Sequence, residues 1–216
     1  MSASARCFAL LLASLVFAPP ARAEAPQSAQ SENARIEHIL AQRARVRDIP
    51  AVALSWDGQH LAWVVSHDDK TTLTLASWSG RNARPLEIPG DCSEEGIRWA
   101  PRANELAVLT RCRVDPSNTK PIHGAIWLID VEHGSTPRKV ADIEGFAQGM
   151  QWSRDGQRIA FLYVPGATRP PYATASGNPR VGVIGATDEQ VERVAQVPVA
   201  GGTPEILTPQ GLYVYE

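Results

Sequence analysis

Cysteine, histidine, serine and aspartate are the side chains from which a catalytic or metal-binding constellation is assembled, so their spacing in this 216-residue sequence is weighed first. The histidines are His38, His60, His67, His123 and His133, and no two of them fall at the H-x-x-x-H or H-E-x-x-H spacing of metal ligands. They read as surface or loop residues. Ser55 and Ser153 each open a Ser-x-Asp-Gly stretch, where the Asp side chain bonds its own backbone and Gly supplies a positive φ. Neither has a His in its column, so both are read as turn formers and not as nucleophiles. No G-x-S-x-G elbow occurs. "HDDK" (His67–Lys70) lacks the Asp/Asn ladder of a calcium loop, and "DCSEE" (Asp91–Glu95) reads as a solvated acidic patch. Gly177, Gly182 and Gly185 do not follow a strand and open a helix, which argues against a phosphate cradle. No catalytic residue, metal or cofactor is therefore expected.

The cysteines carry the one specific covalent expectation. The first residues combine Arg6, the uncharged apolar run "CFALLLASLVFA" and the small-x-small "ARA" at Ala21–Ala23, the form of a removable secretory signal peptide over residues 1–23. That run is too short to span a bilayer. Export to a periplasmic or extracellular compartment follows, with no membrane attachment of the mature form. The mature chain then has a net charge of about −4, with no basic stripe for nucleic acid or anionic lipid. It keeps Cys92 and Cys112, an even pair in an oxidising compartment. On a hairpin turning at Arg102 and Ala103 the two lie one position from direct opposition, a slip that a bulge absorbs. The expectation is a Cys92–Cys112 disulfide; the alternative is two reduced thiols with Cys112 buried.

The elements that position these residues come from a repeat. "AVALSWDGQHLAWVV" from Ala51, "GIRWAPRANELAVLT" from Gly96 and "GMQWSRDGQRIAFLYV" from Gly149 align on Leu54, Trp99 and Trp152. In the second copy Pro101 presets the turn and Asn104 is expected in the left-handed position. Each hairpin is followed by two more strand-like pieces: "TTLTLASW" and "RPLEI", "GAIWLIDV" and "RKVADI", "VERVAQVPV" and "PEILT". Four strands per period of 40 to 50 residues predict blades of a propeller. The expected fold is all-β, a partial β-propeller of about three four-stranded antiparallel blades, with a short amino-terminal helix. Residues 24–50 form an amino-terminal segment, with a helix at about 34–46 from the spacing of Ile36, Ile39, Leu40 and Val46 and Asn33 as its cap. Residues 51–216 form the incomplete propeller, with blades at about 51–90, 91–145 and 146–209 and the start of a fourth at 210–216. Of the six tryptophans, Trp99 and Trp152 share a column with Leu54, which favours packing over a sugar platform. The connection 165–189, with Arg169, Arg180, Asp188 and Glu189, is either a functional loop or a surface excursion.

The run "RIEHILAQRARVRDIPAVALSWDGQHLAWVV", the repeated S-x-D-G-x-x-[LI]-A-aromatic signature and "FLYVPGATRPP" resemble the amino-terminal propeller of exported serine peptidases of the prolyl oligopeptidase family, of dipeptidyl peptidase and acylaminoacyl peptidase type. The resemblance covers residues 34–216. It implies a partner α/β-hydrolase domain carrying the nucleophile, peptide substrates for the parent, and a non-catalytic gating or packing role for the propeller. The chain is expected to stop within a blade, before that domain, and to be inactive alone. The alternative is a periplasmic protein-binding propeller similar to the Tol-system scaffold, which uses the same hairpin signature.

Overall fold

The computed structural model describes residues 27–43, 47–67, 70–112, 120–134, 136–168, 191–209 and 212. The expected leader, Asp68 and Asp69, Val46, and Arg169, Gly177, Arg180, Gly182, Gly185, Asp188 and Glu189 of the long connection lie outside the described residues.

The chain divides after Arg43 into two units. In the first, helix α1 spans Gln27–Arg43 and begins earlier than the spacing of Ile36, Ile39 and Leu40 predicts. Asn33 is inside it and not its cap. Gln27–Glu32 contains no Pro or Gly, so nothing stops the helix from propagating through it. His38 and Gln42, one turn apart, bond at 3.0 Å.

The second unit is built of strands. β1 (Asp48–Leu54), β2 (His60–His67), β3 (Lys70–Ser77) and β4 (Arg84–Leu86) form one antiparallel sheet in chain order. β5 (Cys92–Trp99), β6 (Glu105–Cys112), β7 (His123–Asp130), β8 (Arg138–Trp152), β9 (Arg158–Pro165), β10 (Arg193–Pro198) and β11 (Glu205–Ile206) form a second, also in chain order. The second sheet is two four-stranded meanders sharing β8. Its residues Arg138–Glu144 pair with β7, and Gly145–Trp152 pair with β9. The expected break between the second and third repeats is thus a continuous strand that changes partners at Gly145. There φ is 131°, and a Cβ would stand 2.2 Å from the Val164 carbonyl oxygen, so only glycine fits the crossover.

Sequence alternation explains how the meanders pack. On β6, Leu106 and Val108 join Ala62, Val64, Leu73, Leu75, Ile97 and Trp99 in one cluster. Ala107 and Leu109, on the opposite face, join Ile126, Leu128, Ile159, Phe161, Ala195 and Val197 in another. Both faces of the middle meander are covered, so "LAVL" is apolar at every position instead of every second one. The first strands β1, β5 and the second half of β8 lie next to one another. Successive meanders packed face to face around neighbouring first strands make the unit mostly β and propeller-like.

Candidate functional site

The hairpin joining β1 to β2 and that joining β8 to β9 are chemical copies. The Ser55 hydroxyl donates to Asp57 at 2.5 Å and accepts from the His60 amide at 2.9 Å; Ser153 donates to Asp155 at 2.6 Å and accepts from the Arg158 amide at 2.9 Å. Gly58 and Gly156 close the turns at φ 70° and 71°. His60 reaches Ser55 only through its main chain, while its ring stacks on Trp99 at 6.0 Å, so Ser55, His60 and Asp57 are a turn and not a triad. The Ser55 hydroxyl, then the Gln59 amide and the Asn104 side-chain amide, hold the Asp57 carboxyl at about 2. Asp155 is lowered by Ser153 and the Gln157 amide.

In the middle repeat Asn104 does not adopt the expected left-handed conformation, which among described non-glycine residues only Asn82 does. Its buried side chain instead donates to Asp57 at 2.9 Å and to Glu132 at 2.5 Å, tying the first hairpin to the second meander. The tryptophans form a second set of ties. Trp99 Nε1 donates to the Ala53 carbonyl and Trp152 Nε1 to the Arg98 carbonyl, each at 3.0 Å. Ala53 and Arg98 occupy one column of the repeat, so the same bond recurs at both junctions. These rings are packing elements.

"DCSEE" departs from its expected solvated character. Glu94 is 8% exposed and accepts from the Thr71 hydroxyl of β3, while Glu95 pairs with Arg111 at 2.7 Å. Cys92 stands opposite Cys112 in the β5–β6 register, with Cα atoms 3.9 Å and Sγ atoms 2.00 Å apart. The register shifts between Glu94 and Gly96, a bulge that brings the two cysteines level. Among the described residues no group of histidine, cysteine, aspartate and glutamate is placed to hold a metal. His133 instead pairs with Asp130 at 2.8 Å. Main-chain and side-chain bonds from His133 lower the Asp130 carboxyl against the effect of burial.

Register irregularities also interrupt β1 between Asp48 and Ala51 and β8 between Gln148 and Gln151. Where the three irregular stretches meet there is a cavity of about 460 Å³, its wall including Val52, Ile97, Phe146 and Met150 and its charges Glu95, Arg98 and Arg111. Arg111 lies 5.6 Å from the Phe146 ring centre and is held by Glu95. Gln148 donates to Glu192 at 2.7 Å. Arg98 donates only to the Ile97 carbonyl, at 2.8 Å, and no carboxylate pairs with it among the described residues. Sequence reasoning passed over this cavity because its residues are distant in the chain and only strand packing collects them; the signal available was an arginine in a column that holds Ala53 and Gln151.

The chain is similar to the tricorn protease, with TM-score 0.50 at 12% identity, over 70% of this chain and 14% of that one. A putative TolB from Agrobacterium tumefaciens gives 0.48 at 16% identity over 74% and 48%, and the beta-propeller domain of the Trilobed protease from Pyrococcus furiosus gives 0.41 at 13% over 76% and 58%. The chain spans less than two thirds of each. What is shared is the fold. No protein-family model matches the sequence, and no curated protein matches it. No described helix is long and apolar enough to cross a membrane.

Proposed function

We propose that this chain is the non-catalytic propeller portion of an exported serine peptidase of the prolyl oligopeptidase family. In this reading residues 1–23 are a leader, 24–50 an amino-terminal segment, and 51–216 the propeller, with blades at about 51–90, 91–145 and 146–209 and a fourth starting at 210. The blades wall off and pack against an α/β-hydrolase domain of the parent. The oxidised Cys92–Cys112 pair belongs to the same proposal, since export supplies the oxidising compartment.

The observation that carries the reading is the threefold meander, joined at both junctions by the same Trp-to-carbonyl bond. It is a lateral stack, and its two signature serines are committed to turns. Peptide hydrolysis needs an activated nucleophile, a base in reach of it and an oxyanion hole. Those fall to the hydrolase domain. The Ser-x-Asp-Gly hairpin equally suits the second reading, a Tol-type protein-binding scaffold. Reading the coding frame past Glu216 separates the two: a G-x-S-x-G elbow followed by Asp and His supports the peptidase, and further blades ending in a stop codon support the scaffold. Incubation of the 216-residue chain with chromogenic dipeptide and acyl-amino-acid substrates is expected to give no turnover. Turnover abolished by a serine-reactive phosphonate overturns the non-catalytic assignment.

A further inference from the structure

The cavity between the first strands has a chemistry that the propeller role leaves unused. Hydrogen-bonded and non-bonded pairs alternate along an antiparallel ladder. The Ala100 amide donates to the Glu105 carbonyl, so two residues back Arg98 is bonded across to β6, and Ile97 turns its carbonyl to the free edge of β5. The Arg98 guanidinium caps that carbonyl and therefore lies over the free edge, at the cavity. A guanidinium has five N–H donors, and among the described residues this one spends a single donor on protein. The Ser55–His60 bond likewise directs the main chain of Val52 to the free edge of β1, and Val52 is 62% exposed.

Charge and surface specify the ligand. Arg98 and Arg111 against Glu95 leave the cavity one positive charge in excess, and that charge resides on Arg98, which no carboxylate pairs among the described residues. Val52, Ile97, Phe146 and Met150 supply an apolar wall. We propose that this cavity binds the terminal carboxylate of a peptide with an apolar last residue, Arg98 holding the carboxylate, the apolar wall taking the side chain and the Val52 main chain pairing with the peptide backbone. A planar guanidinium binds a carboxylate through two parallel N–H···O bonds, and an extended peptide adds to a free strand edge through main-chain bonds. The site does not depend on the peptidase reading, because every group in it belongs to this chain.

Calorimetric titration of the full 216-residue chain tests it, with acetyl-Ala-Leu, its carboxy-terminal amide, hexanoate and inorganic phosphate as probes. The free acid is expected to bind about tenfold or more tightly than the amide. Arg98→Gln is expected to remove that preference and Arg98→Lys to restore part of it. The side-chain hydrogen bond that Arg98 makes among the described residues is to the neighbouring carbonyl alone, so circular dichroism of the variants should match the parent. Glu95→Gln, which releases Arg111, is expected to tighten binding by about threefold or more. Equal binding of acid and amide, an unchanged preference in Arg98→Gln, or weaker binding in Glu95→Gln overturns the proposal. Hexanoate binding as tightly as acetyl-Ala-Leu assigns the cavity to simple aliphatic acids, and phosphate doing so makes it a general anion site; either result overturns the peptide assignment.

Discussion

Asp57 takes hydrogen bonds from Ser55, Gln59 and Asn104. Each bond favours the ionised form, which is why its carboxyl sits at about 2 against the ordinary 3.8. A group lowered on folding contributes stability that is fully present above its unfolded value and lost as pH falls through its folded value. Between pH 4 and pH 2 the chain should therefore lose stability, and Asp57→Asn should flatten that part of the profile. Urea midpoints at unit pH steps from 2 to 6 check this. Asp155, lowered by its bonds from Ser153 and the Gln157 amide, contributes in the same direction in the third repeat and leaves the variant a residual slope.

At the scale of elements, the junctions carry the interest. Trp152→Phe keeps an aromatic ring, removes the bond to the Arg98 carbonyl and trims some packed surface, and should cost about 1 kcal/mol or more, the worth of a typical net hydrogen bond and upward. Trp56→Phe, at a site 56% exposed, should stay within about 0.5 kcal/mol. Phe161, 2% exposed between the second and third meanders, should cost about 3–5 kcal/mol when cut to alanine. Denaturant melts of the three variants against the parent check all three. The hairpins and strands were legible from the Ser-x-Asp-Gly copies and from the repeat aligned on Leu54, Trp99 and Trp152, because turn chemistry is local and recurs with each hairpin. Asn104 was misread because its partners, Asp57 and Glu132, are remote in sequence. Glu94 looked solvated for the same reason, since Thr71 meets it only once β3 packs against β5. The start of α1 was missed because the apolar spacing marks only part of a helix whose propensity extends further back.

For the whole molecule the decisive covalent question is the oxidation state of Cys92 and Cys112. The residues are separated by 20 positions, and closing a loop of that size stabilises a fold by about 3 kcal/mol in the chain-entropy account. Exported material should have an intact mass lower by two hydrogens than its reduced form. Replacing both cysteines with alanine should lower stability by about 3 kcal/mol. Two free thiols in exported protein would leave β5 and β6 joined by their ladder, the Glu95–Arg111 pair and side-chain packing, with no covalent tie.

The uninterrupted course of β8 bears on how the molecule comes apart. Because one strand supplies the last member of one meander and the first of the next, displacing β8 as a whole releases hydrogen bonds of both. The pair should behave as a single cooperative unit, with amides of β7 and β9 exchanging with deuterium at matched rates. The first meander is joined to the second by side-chain ties and packing but shares no strand with it. Its amides should exchange ahead of the rest, making that meander the earliest to open under load.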